Sequence, residues 1–115
     1  MGKGIANLIS SEGGSVALFD INEDLLAKAV SEFTKQGFKV AGFKVDVSKE
    51  DSVKSAMEKA EATFGKIDVM INCAGIVGPT STKITDYSVE DYDKIYEINL
   101  RGSFLMTKYA IKAME

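Results

Sequence analysis

Three short apolar stretches of this sequence each run into residues that can hold a ligand. SVALF at 15–19 leads into Asp20, FKVAGFKV at 38–45 leads into Asp46, and IDVMI at 67–71 leads into Asn72-Cys73-Ala74-Gly75. In open α/β sheets, ligands bind beyond the carboxyl ends of the strands. A carboxylate beyond the second strand of a dinucleotide fold can accept hydrogen bonds from a ribose diol. Asp20 stands 18 residues after Gly2, close to the spacing of about 20 between a glycine turn and that acid. Asp20 reads equally well as a turn residue entering a helix. Asp46 can receive the exocyclic amine of adenine while Val47 packs near the ring, or it is a plain helix-entry residue. The small residues after Asn72 let a flat ligand approach the backbone, and Asn72 can tie neighbouring strand ends together. A turn of small residues explains them as well.

Asn99 is the fourth candidate. Ile95, Asn99, Gly102 and Met106 follow at spacings of three and four, so a regular helix puts them on one face. An amide in that stripe needs partners, because leaving it unsatisfied costs about 1–3 kcal/mol. It can bend the helix, hold a water, or be a satisfied structural residue. Gly2-Lys3-Gly4 offers weak phosphate-binding potential at a helix N-terminus. Cys73 has no neighbouring cation in sequence to activate its thiol.

Composition removes other chemistries. One cysteine and no histidine exclude an internal disulfide, a Cys/His metal site and histidine catalysis, leaving Tyr, Lys, Asp and Glu as proton movers. The net charge of −3 and the absence of a basic run give no nucleic-acid footprint. No apolar run reaches the ~20 residues of a membrane span, and no secretory pattern opens the chain. The expected compartment is the reducing cytoplasm.

The elements that must position these residues alternate between helix and strand. A short helix at 3–11 stops at Gly13-Gly14. Strands are expected at 15–19, 38–45 and 67–71. Asn22 caps a helix through Gln36 that Gly37 ends, and Ser48 with Asp51 predicts a capping box for the helix closing at Gly65. After a loop carrying Pro79, Ser88 with Asp91 caps one long helix running to the chain end. This alternation predicts a parallel sheet with helices on both faces. One 115-residue domain suffices, without repeats or linkers. A small three-stranded domain is the plainest alternative to a piece of a larger sheet.

Taken in order, these residues resemble the classical short-chain dehydrogenase/reductase family. The resemblance rests on Gly2-x-x-Ile5-Ala6, Asp20-Ile21-Asn22, Asp46-Val47 and Phe64-Gly65-Lys66-Ile67-Asp68, then Asn72-x-Ala74-Gly75-Ile76 and Ile98-Asn99-Leu100-x-Gly102-x-Phe104. It covers essentially the whole chain. It implies a partial Rossmann fold, doubly wound, lacking the first strand and the C-terminal strands. It implies that Gly2, Asp20, Ile21, Asp46, Val47, Asn72, Ala74 and Gly75 bind the cofactor. That cofactor is expected to be NAD rather than NADP, since Asp20 matches the acid that repels a 2′-phosphate. Cys73 departs from the family's second Asn, a change that leaves the backbone role intact.

The resemblance gives Asn99 the catalytic-tetrad place that holds a proton-relay water. The Ser, Tyr and Lys of that tetrad have no counterpart: Tyr109 and Lys112 are three apart, not the required four. The expectation is an N-terminal fragment, itself inactive. Its parent would interconvert a secondary alcohol (sugar, polyol or 3-hydroxyacyl) and its ketone, as a homodimer or homotetramer. A Rossmann-type S-adenosylmethionine methyltransferase and a non-catalytic nucleotide-binding or oligomerisation module are the alternatives.

Overall fold

The computed structural model describes residues 1–115. Helix α1 (Gly2–Ser11) ends where Gly13 takes φ +93° and the Gly14 N–H donates to the Ile9 carbonyl. Strand β1 (Val16–Asp20) follows. Asn22 then caps α2 (Glu23–Lys35), its Oδ1 accepting from the N–H groups of Asp24 and Leu25. Glu23 and Asp24 oppose the positive end of the helix dipole. At the far end Gly37 adopts φ +82°, Gly37 N–H donates to Thr34 and Phe38 N–H to Phe33. The rings of Phe33 and Phe38 close over this turn at 6.0 Å, the apolar contact that accompanies a Schellman cap.

Strand β2 (Val40–Lys44) pairs parallel with β1, from Val16 opposite Val40 to Asp20 opposite Lys44. Its side chains alternate between faces. Gly42 lies beneath α2, where an added Cβ would stand 2.8 Å from Val30 and 2.9 Å from Leu26. Phe43 and Val45 face the other way. There Val45 joins Val53, Ala56 and Met57 of α3 (Glu50–Phe64) and Leu105, Met106 and Ala110 of α5 (Gly102–Met114) in the main core. Phe19, Ile67 and Met70 pack against the same cluster. Helices therefore cover both faces of a parallel sheet, as expected.

Three local expectations fail. Residues 67–71 are extended but form no strand, and the sheet has only β1 and β2. A strand exists by pairing, and no backbone hydrogen bond joins this segment to β1. Apolar packing of Ile67 and Met70 holds it in the layer instead, while Val69 and Ile71 are exposed. The capping box at Ser48 is absent: Lys49 occupies the cap position without a side-chain bond, because the Ser48 hydroxyl is taken by Asp46. The last helix is capped by Ser88 accepting from Asp91 N–H, but it is not uniform. A π turn (Tyr96–Arg101) separates α4 (Val89–Ile95) from α5, and the extra residue in that turn breaks the single-face stripe of Ile95, Asn99, Gly102 and Met106.

Candidate functional site

The ladder between β1 and β2 continues for one bond, Val45 N–H donating to the Asp20 carbonyl at 3.0 Å. Asp20 and Asp46 are thereby carried to the same carboxyl edge. The exposed Asp20 side chain is oriented by the Asn22 N–H, which donates to Oδ1 at 3.0 Å. Lys44, opposite Asp20 in the ladder, pairs with Glu23 instead, and Asp20 enters no ion pair. Beside it Ile21 leaves 59% of its surface open, an apolar face next to a charge.

Asp46 is half-buried and tightly held. Its Oδ1 accepts from the Ser48 hydroxyl at 2.6 Å and the Ser48 N–H at 3.0 Å, while its own N–H donates to Ser52 Oγ at 2.9 Å. The Ser48 hydroxyl holds the Asp46 carboxyl below the ordinary aspartate value, against the opposing effect of burial. Val47 packs on Gly102, where an added Cβ would stand 3.0 Å from its Cγ2. Arg101, the last residue of the π turn, donates from Nη1 to the Ser48 carbonyl. The turn at 46–48 thus rests on the helix at two points.

The third tip is a hydrogen-bonded relay. Asn72 Oδ1 accepts from the Ala74 N–H at 3.2 Å, and its Nδ2 donates to Ser103 Oγ at 2.9 Å. That hydroxyl donates to the Asn99 carbonyl at 2.7 Å. Asn72 therefore ties its loop to the helix, not to neighbouring strand ends as expected, because no paired strand lies beside it. The side chain of Asn99 meets the peptide of Ile76 from both sides: Oδ1 accepts from N–H at 2.8 Å and Nδ2 donates to the carbonyl at 2.9 Å. Asn99 thus clamps the Ile76 peptide with one donor and the acceptor oxygen of its amide.

Glycines allow the close approaches. A Cβ on Gly75 would stand 3.4 Å from Asn99 Oδ1, and one on Gly2 would stand 3.6 Å from Cys73 Cβ. The N-terminus of α1 is therefore against the loop at 72–75. Cys73 itself is exposed.

Ser103 and Arg101 escaped the sequence reading. Ser103 had a usable signal, a hydroxyl four residues after Asn99 on a helix; Arg101 had none, since its partner is 53 residues away. Tyr109 has a structural task. Its hydroxyl donates to Glu50 at 2.8 Å beside Lys108 at 2.9 Å, and the Glu50 carboxylate holds the phenol above its usual range.

A family model described as enoyl-(acyl carrier protein) reductase matches residues 1–115. An uncharacterized oxidoreductase of Bacillus subtilis, YxbG, is 36% identical over 114 residues, covering 99% of this chain and 41% of that protein. A diacetyl reductase, (S)-acetoin forming, of Staphylococcus epidermidis is 37% identical over 103 residues, or 90% of this chain and 39% of that one. Among solved structures, a short-chain dehydrogenase/reductase from Serratia marcescens superposes with TM-score 0.91 at 26% identity, over 99% of this chain and 46% of that one. An actinorhodin polyketide ketoreductase with NADPH superposes with TM-score 0.92 at 27% identity, over 97% and 42%. The chain spans less than half the length of these relatives. With a family model matched over every residue, the chain belongs to the short-chain dehydrogenase/reductase family.

Proposed function

We propose that this chain is the dinucleotide-binding portion of an NAD-dependent oxidoreductase that interconverts a secondary alcohol and its ketone. The observation that carries it is the Val45–Asp20 bond, which brings two acids to one sheet edge while leaving the Asp20 carboxylate exposed and unpaired with any cation. An uncompensated carboxylate accepts a ribose diol and repels a 2′-phosphate, which favours NAD over NADP. The residues present fit such a cofactor. Gly2 and Gly75 keep the third tip free of side-chain bulk, Asp20 and Ile21 offer a charge beside an apolar face, and Asp46 and Val47 suit an adenine edge.

The bound nicotinamide would supply hydride transfer. What this chain contributes is binding and positioning: Asn72 shapes the loop of Ala74 and Gly75, and Asn99 fixes that loop from the helix through Ile76. In this reading Asn99 acts as a positioning residue, and the acid–base step calls for a Tyr-x-x-x-Lys pair that these 115 residues do not contain. The diacetyl and polyketide ketone reductases among the similar proteins support an alcohol or ketone substrate; a sugar, polyol or 3-hydroxyacyl compound is the substrate type proposed. Family membership favours this over the methyltransferase reading.

The parent is proposed to act in the cytoplasm; no helix is long and apolar enough to cross a membrane. Val89, Tyr92, Tyr96, Leu100 and Phe104 leave a run of exposed apolar side chains along the last helix, which supports self-association as a dimer or tetramer. Sedimentation of the chain and its parent tests that association. The cofactor reading is tested by fluorescence titration with NADH, NADPH and S-adenosylmethionine. NADH should bind at least about tenfold tighter than NADPH, roughly 1.4 kcal/mol. Tighter binding of NADPH or of S-adenosylmethionine overturns it.

A further inference from the structure

We propose that Arg101 is a positioning residue that couples the adenine end of the dinucleotide site, at Asp46–Ser48, to the helix that carries Asn99. This rests on the cofactor reading above and extends it to a residue outside the three strand tips. An α-helix turns ~100° per residue, so Asn99 and Gly102 would lie on nearly the same face. Here they do not serve the same neighbour. Asn99 reaches the peptide of Ile76, whereas Gly102 receives the side chain of Val47 and Arg101 bonds the Ser48 carbonyl. The π turn between 96 and 101 inserts the extra residue that swings these positions apart. One short stretch of helix thereby grips two separate loops.

The grip on the 46–48 turn needs Arg101. Asp46 and Ser48 are bonded to one another, which shapes the turn locally but does not anchor it. Ser52, which accepts from Asp46 N–H, belongs to α3 on the same stretch of chain. Arg101 is the one polar side chain of the last helix that bonds this turn. A guanidinium on a backbone carbonyl is a charge-assisted bond, roughly twice as strong as a neutral one. Without it the turn keeps the Ser52 bond and the apolar contacts of Val47 but loses its polar tie to the last helix, which loosens the place of Asp46 at the sheet edge. Lys would retain the charge but present a point donor on a flexible stem.

Isothermal titration of the full chain with three probes tests this: NADH, adenosine monophosphate and nicotinamide mononucleotide. Arg101→Ala should weaken NADH and adenosine monophosphate about tenfold while leaving nicotinamide mononucleotide within about twofold, and Arg101→Lys should recover part of the loss. Equal binding of NADH by the Ala variant and the parent sequence overturns the proposal, as does an equal loss for all three probes, which marks a general structural role. A parent sequence that binds none of the probes overturns the cofactor reading and this inference with it. Amide hydrogen exchange covers a poorly folded Ala variant: Arg101→Lys must speed exchange at 46–49 more than at 74–76, and uniform acceleration counts against the coupling.

Discussion

Asn99 and Ile76 grip each other through two hydrogen bonds that use both the donor and the acceptor of the amide, at 2.9 and 2.8 Å. No other side chain of similar size offers that pair of groups: Asp lacks the donor and Leu lacks both. Two neutral bonds at an exposed site contribute about 1–2 kcal/mol together. Asn99→Ala should therefore free the 74–76 loop and raise amide exchange of Ile76 about tenfold. Asn99→Asp keeps an acceptor for the Ile76 N–H and loses only the donor to its carbonyl, so it should raise exchange less than Asn99→Ala. Unchanged exchange in both variants would show the contact to be incidental.

Asp46 should report its own turn through pH. Its carboxyl is held low chiefly by the Ser48 hydroxyl. A lowered folded value means that the stabilisation is fully present above the ordinary aspartate pKa of about 3.9 and is lost as pH falls through the lowered value. Ser48→Ala should move the Asp46 titration up, toward that ordinary value. Carbon-detected NMR of the carboxyl measures it, and an unmoved midpoint would count against the hydroxyl as the cause.

Two glycines should respond oppositely to the same change. Gly4 in α1 has no atom within 4 Å of an added Cβ, so Gly4→Ala should gain about 0.5–1 kcal/mol of helix propensity. Gly102 would press its Cβ to 3.0 Å from Val47 Cγ2 and 3.2 Å from Val47 Cβ. Overpacking of that kind costs about 1–3 kcal/mol and outweighs the propensity gain. Ellipticity at 222 nm should rise for Gly4→Ala, and amide exchange at 46–48 should accelerate for Gly102→Ala.

Residues 1–115 alone should be folded but only marginally stable. Of these residues, 13 are buried, and both β1 and the 67–71 segment present unpaired backbone. Such open edges recruit other chains. Dye binding by exposed apolar surface and a broad thermal transition are expected, with no NAD-dependent oxidation of secondary alcohols. A sharp calorimetric peak from a soluble monomer would contradict the first expectation, and turnover that co-purifies with the chain the second.

Local chemistry was legible in the residues themselves. Asn22, Gly37, Gly65 and Ser88 each act within a few positions of where they stand, so caps and stops follow from residue type and spacing. The apolar runs likewise foretold β1 and β2, and the order of Asp20, Asp46 and Asn72 foretold the family. Contacts between distant residues were not legible. Whether 67–71 pairs depends on a neighbour that its own sequence does not describe, and an apolar run reads alike either way. The Ser48 hydroxyl could cap α3 or bind Asp46, and tertiary geometry chose the second. The bond of Asn72 to Ser103 spans 31 residues and that of Asn99 to Ile76 spans 23. The sequence by itself determined where the caps, the helix stops and the two paired strands stand along the chain. Only the folded chain decided which residues hold one another, because hydrogen-bond partners are selected by position in space and periodicity records only position along the chain.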